Sequence, residues 1–451
     1  MNIVFLIGRH NFYKYLSSII EEGIMRGHTI ECWCDYTQER KGMKGYLFPS
    51  IEKSPFFDCG HKNLKFEKIT EEKSFEQLLK EKKVKNNVDF FIGLHQINVK
   101  LNKSILNYLS GKWCIIMHGI DSFYELLSMP FVNEYEYKKY FFVYSDYLFQ
   151  FGLDWINESY PKKTLCLKKE DTKVKPIGSS IIGEKNKLSN IDKGKLRKKY
   201  GISDKKKIVL YLPFTVDEKW YIEENDAFLD AYSRIYYSKL KSLKRRKIKI
   251  SFKEYLKVIF QNINSIIKIF QHVESRKYFI NRWNEPKVFE AVRMFCIKNN
   301  LLLVVKPRIK YEVTDYVRNY ADIFVIDDEK KQYPSILQEL FSIADLTIGY
   351  FSLAVLESVS FGVPYLNIES SKLEFMNQAH RSLFPNDEDS MFNFKSIVHN
   401  LSTSRMISDF GKMSIKDFKM EPKDWKIYMD KFVGPVDGTA AKRFYDYLEN
   451  L

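Results

Sequence analysis

Leu337–Ile368 reads LQELFSIADLTIGYFSLAVLESVSFGVPYLNI. Helical spacing runs up to Asp345 and gives way to a strand-like run, Leu346–Ile348. A short loop, Gly349-Tyr350-Phe351-Ser352, opens a second helix that holds Glu357. Gly362-x-Pro364 then leads into another strand, Tyr365–Ile368. Helix, strand, loop, helix and strand in this order form the unit of a parallel sheet covered by helices.

Working outward, the same alternation recurs on both sides. Upstream lie Ile208–Leu212, ending at Pro213, then Leu301–Val305, ending in Lys306-Pro307-Arg308, and Ile323–Ile326. A first series opens the chain. Ile3–Ile7 stops at Gly8, Phe12–Arg26 has helical spacing closed by Gly27, and Thr29–Trp33 follows. Val88–Ile92, Trp113–Met117, Phe141–Tyr144 and Lys173–Ile177 continue it. Two β/α series predict an α/β protein with two Rossmann-like domains facing across a cleft: 1–183, and 205–430 beyond a lysine-rich linker and helix. The tail, 431–451, reads as a terminal helix. A chain of 451 residues suits two domains of about 150–200 residues each.

Hydrophobic residues at 45% and charged residues at 29% exclude wholesale disorder. Six cysteines without a C-x-x-C pair argue against a disulfide framework, and Cys32 and Cys34 read as small core hydrophobes. No apolar run is long enough to span a membrane, and IVFLI after Met1-Asn2 is strand-like rather than a signal peptide. These features lead us to expect a reducing, cytoplasmic setting.

The net charge of +15 suits an anionic partner. The basicity is local: between Arg234 and Lys257 stand ten Lys/Arg against one acid, Glu254. This cluster lies in a long excursion, 217–284, within the second series, and it is followed by YLKVIFQNINSIIKIF, Tyr255–Phe270. Segment 234–270 has two readings. One is a cationic amphipathic element on the inner face of a membrane; the other is a helical hairpin packed on its own domain. No recognisable nucleic-acid-binding module accompanies it.

Free N–H groups at a helix start after a glycine loop can hold an anion. Ser352 could bind a phosphate oxygen or cap the helix, and Glu357 could accept hydrogen bonds from ribose hydroxyls. His118, at the carboxyl end of a strand, sits where open α/β sheets place reactive groups, and histidine is the natural base near neutral pH. Asp121 could orient it or cap a helix. Lys306 and Arg308, at a strand end, could offset charge on a departing phosphate. Arg9 and His10, after the first strand, could line an acceptor side or belong to an ordinary β-α turn. For a metal-dependent sugar transferase of the other major fold, the nearest D-x-D is Asp387-Glu388-Asp389, read as a loop. Phosphate-loop, zinc-protease, serine-hydrolase and complete dinucleotide motifs are absent from the sequence. No metal or cofactor is expected.

Asp345 with its strand, the glycine loop and Glu357-x-x-x-x-Gly362-x-Pro364 together resemble the donor-binding half of GT-B glycosyltransferases. The resemblance assigns Glu357 to the donor ribose. Other segments resemble the CDP-glycerol and CDP-ribitol phosphotransferases of wall teichoic acid synthesis and their surface-polysaccharide relatives. These are Met117-His118-Gly119, Ser145-Asp146-Tyr147, Pro213-Phe214-Thr215, Lys306-Pro307-Arg308 and Gly349-Tyr350-Phe351-Ser352, in the family's order. The family's D-Y-S-S stands here as GYFS, and its H-P histidine has no counterpart. The resemblance thus implies a glycosyltransferase moving a sugar from a nucleotide-activated donor to a surface-polysaccharide or lipid-linked glycan acceptor. His118 would be the base, and Lys306, Arg308, Gly349, Ser352 and Glu357 would hold the donor. The alternatives are a CDP-polyol phosphotransferase and a non-catalytic protein binding an anionic membrane or nucleic acid. In GT-B proteins the last helix often returns to the first domain, and the tail is expected to do the same.

Overall fold

The computed structural model describes residues 1–8, 12–36, 60–82, 87–94, 112–118, 139–150, 173–181, 192–202, 206–213, 285–307, 315–326, 335–350, 352–369 and 389–451. Two sheets organise them. The first contains β1 (Asn2–Ile7), β2 (Thr29–Asp35), β3 (Leu64–Ile69), β4 (Phe90–Gly93), β5 (Lys112–Ile116), β6 (Lys139–Val143) and β7 (Lys173–Pro176). Its order is β3-β2-β1-β4-β5-β6-β7, and every pairing is parallel.

The second sheet contains β8 (Ile208–Leu212), β9 (Leu302–Val305), β10 (Ile323–Phe324), β11 (Leu346–Gly349) and β12 (Tyr365–Glu369). It is completed by β13 (Asp389–Ser390), β14 (Asn393–Phe394) and β15 (Val398–Ser402). Its order is β10-β9-β8-β11-β12-β15-β14-β13, parallel through β15 and antiparallel at the last two strands. Both orders reverse beside the first strand of their series, between β1 and β4 and between β8 and β11. Such a reversal leaves a crevice at the carboxyl ends of the strands, where open α/β sheets bind ligands.

The strands read as apolar runs because helices cover both faces of the sheet. Phe90, Phe91 and Ile92 are all buried, as are Ile208, Val209, Leu210 and Tyr211. Cys32 and Cys34 lie buried in the first sheet's core and form no disulfide. Three aspartates fix strand positions. Asp89, Asp322 and Asp345 each precede a strand and accept the N–H of a neighbouring strand's residue, Asn2, Leu303 and Ile208, at 2.7–2.8 Å. Asp345, read from sequence as the end of a helix, lies outside it: the helix is Ile336–Ile343, started by a reciprocal cap between Ser335 and Gln338. Four strands, β3, β13, β14 and β15, were missed. β3 (LKFEKI) is an edge strand whose Glu67 pairs with Lys73 and Lys82, and the β13–β15 ribbon is short and polar. Asp389 therefore lies in an edge strand rather than a loop, whereas Asp387 and Glu388 fall outside the described residues.

The chain's last two helices connect the sheets. Pro422–Phe432 spans the 430/431 division drawn from sequence and packs on the second sheet's helices, with Trp425 donating to the Val359 carbonyl at 2.8 Å. Val433-Gly434-Pro435 then crosses over, and Ala440–Leu448 lies on the first sheet, where Phe444 meets Phe142 at 4.6 Å between ring centres. Arg26 binds Asp446 at 2.8 Å and Glu449 at 2.9 Å, and His28 binds Glu449 at 3.0 Å. At the crossing, Gly434 has φ of 82°, and a β-carbon there would lie 1.9 Å from the Tyr144 carbonyl oxygen, so this position requires glycine.

Candidate active site

The helix Tyr13–Met25 follows β1 and buries Leu16, Ile19 and Ile20 on the sheet, which turns Lys14 and Tyr15 toward the carboxyl ends of the strands. β5 delivers Met117 and His118, with the Met117 N–H bound to the Phe142 carbonyl at 2.8 Å. β6 delivers Tyr144, and β7 leads to Ser179 and Ile181. Across from them stands the helix Ala354–Ser360, which follows β11 and is buried throughout. These residues form a narrow crevice open to solvent, lined on one side by Tyr15, His118, Tyr144, Ser179 and Ile181. The other side is Leu353, Leu356, Glu357, Ser360 and the crossover residue Val433.

His118 and Glu357, chosen separately from sequence, therefore line one crevice from opposite sheets. His118 is only 7% exposed, and its imidazole lies against Phe12 and the edge of Tyr15, with ring centres 6.0 and 5.7 Å away. Glu357 is 4% exposed, so it is no surface side chain. Its Oε1 accepts from Lys14 Nζ of the opposite domain, and its buried Oε2 has no partner among the described residues. Lys14 was not singled out from sequence, where it looks like one more solvated lysine on an amphipathic helix.

None of the other residues chosen from sequence lines the crevice among the described residues. Ser352 Oγ accepts from the Ala354 N–H at 3.3 Å, a local turn contact just before the helix, whose N-cap position is Leu353. Gly349 ends β11, and a β-carbon on it would lie 2.4 Å from the hydroxyl of Tyr365, which donates to the Tyr350 carbonyl at 3.0 Å. Its smallness thus accommodates Tyr365. Lys306 is buried at the end of β9, two strands from β11, outside the residues that line the crevice. Arg9, His10, Asp121, Arg308 and the basic segment 217–284 lie outside the described residues.

Ser145-Asp146-Tyr147 has a structural role. Ser145 Oγ accepts from the Leu148 N–H at 3.1 Å and donates to the Lys431 carbonyl, while Tyr147 packs edge-on against Phe432 at 5.5 Å. The segment joins the first sheet to the crossing chain beside the crevice. Among the described residues no three or more His, Cys, Asp or Glu side chains group as a metal site, and no helix is long and apolar enough to cross a membrane.

No protein-family model and no curated protein matches the chain. Solved structures do. The wall teichoic acid polymerase TagF matches over 100% of this chain and 88% of its own, at 11% identity and a TM-score of 0.51. The UDP-GlcNAc 2-epimerase from Neisseria meningitidis, solved bound to UDP-GlcNAc, matches over 100% of both chains, at 11% identity and a TM-score of 0.50. Identities this low establish architecture alone, and the architecture is GT-B: two Rossmann-like sheets with a crevice between them.

Proposed function

We propose that this chain is a GT-B transferase that moves a sugar from a nucleotide-activated donor to a hydroxyl of a surface-polysaccharide or lipid-linked glycan. The observation that carries the reading is the pairing of His118 and Glu357 in one crevice, from opposite sheets, at the carboxyl ends of the strands. A buried carboxylate with an unused oxygen suits the hydroxyls of a ribose. An imidazole facing it from the other domain suits removal of a proton from the acceptor. In this scheme the acceptor oxygen attacks the anomeric carbon as His118 takes its proton, and the bond to the nucleotide phosphate breaks. Lys306 and Arg308 would balance the charge left on that phosphate. A base on the acceptor side makes a single displacement with inversion, and a product anomer of retained configuration would refute it.

The order of the segments from Met117-His118-Gly119 to Gly349-Tyr350-Phe351-Ser352 favours a second reading, transfer of a polyol phosphate from a CDP-activated donor. The two differ in their products, since only the second leaves the donor's phosphorus in the acceptor. The basic segment 234–270 fits a peripheral position at the inner face of an anionic membrane.

Thermal shift with UDP, GDP, CDP and CMP, each with one sugar derivative, tests the donor site. Stabilisation by one series, lost in Glu357→Ala, is the expected result. A chain that responds to none of them is not a nucleotide-dependent transferase of this kind.

A further inference from the structure

Burying an ion pair costs desolvation that the attraction between its partners barely repays, so a pair at a crevice is a poor device for stability alone. The pair here has three further features. It joins helices of different domains, its carboxylate is buried to 5% exposure on a short helix with Leu353 and Leu356 beside it, and it is incomplete. Glu357 gives Oε1 to Lys14 and leaves Oε2 buried and unused among the described residues. A ligand that completes the group must donate a hydrogen bond to the carboxylate. When it does so it competes with Lys14, whose ammonium is a point charge on a flexible stem and can turn to a neighbouring anion. Hydroxyl donors next to an anion describe a nucleoside phosphate.

We infer that Lys14 is a nucleotide-binding residue contributed by the first domain. The Lys14–Glu357 pair is the unliganded state of a site that hands Glu357 to the ribose and Lys14 to the phosphates. The inference rests on the donor-site reading of Glu357 and extends it: nucleotide binding exchanges one contact between the domains for two that run through the ligand. Phosphate is what Lys14 recognises, so its contribution is absent for a nucleoside.

The test compares nucleoside diphosphates, by calorimetry, with the matching nucleosides, by ligand-observed NMR, on wild type, Lys14→Gln and Lys14→Arg. Lys14→Gln should weaken the preferred diphosphate by about 10- to 100-fold, the range for a charge-assisted hydrogen bond. It should leave the nucleoside unchanged or bind it more tightly, since Glu357 is released. Lys14→Arg should recover most of the loss. Should a lone Glu357 unfold Lys14→Gln, the same comparison is read between Glu357→Gln and the double variant Lys14→Gln/Glu357→Gln, which buries no unpaired charge. Equal losses for nucleoside and diphosphate, or no loss, overturn the role of Lys14 while the donor site stands. A wild-type protein that binds no nucleotide overturns both.

Discussion

The hydroxyl of Tyr445 occupies the space that a side chain on Gly23 would need. A β-carbon on Gly23 would lie 2.1 Å from Tyr445 Oη and 2.7 Å from Ile30 Cδ1. The first helix and the last are thereby packed backbone to ring, reinforced by Arg26 over the face of Tyr445 at 5.6 Å. Gly23→Ala should therefore lift the terminal helix, at a cost of about 1–3 kcal/mol as for other overpacked cores. A lowered denaturation midpoint together with new proteolytic cleavage between residues 433 and 440 is the expected result. An unchanged midpoint would mean that the two helices have room to part.

His118→Gln should lower turnover by about 10²- to 10⁴-fold, the usual contribution of a positioned base, while leaving donor affinity intact. Single-turnover kinetics with saturating donor, alongside a binding isotherm, separate the two quantities. A loss confined to affinity would move His118 from the acceptor side to the donor side.

Ser145→Ala removes both the acceptor for the Leu148 N–H and the donor to the Lys431 carbonyl. The loss should be about 1–2 kcal/mol, for a helix cap and one cross-sheet bond. Chemical denaturation measures it. The nucleotide series that stabilises the protein should stay the same in this variant, because Ser145 holds the joint and does not line the crevice.

Hydrogen bonds from Arg443, joined by those from Thr439 and by the Arg443 charge, hold the Asp437 carboxyl at about 2, below its ordinary value of 3.8. A carboxyl lowered on folding stabilises the protein above its unfolded value, and the contribution fades as pH falls through the folded one. The stability advantage of wild type over Asp437→Asn should accordingly be constant above about pH 4 and vanish as pH falls toward 2. Denaturation midpoints across that range provide the check. An advantage that persists at pH 2 would show that the contact does not depend on charge.

The parallel strands were legible because helices on both faces demand continuous apolar runs, such as the IVLYL of β8. The edge strand β3 was not, since Lys65 and Lys68 are exposed, Glu67 is taken up by Lys73 and Lys82, and LKFEKI resembles a polar linker. His118 and Glu357 could be chosen because each stands at a position defined by its own strand or helix. Lys14 could not: its partner lies 343 residues away, and only the packing of one sheet against the other brings them together. Gly349 was legible as a position but not as a role, because the demand for a small residue comes from Tyr365 on the neighbouring strand.

The crossing at Gly434 also sets the order in which the protein can be completed. The strands of the first sheet leave the ribosome before any strand of the second, yet the helix that covers Phe142 and Ile20 is Ala440–Leu448. The domain made first is finished last. Until then an apolar face of that domain stays open to solvent or to a chaperone. A fragment ending near residue 183 should consequently be aggregation-prone, and the two halves should unfold as one cooperative unit rather than in sequence.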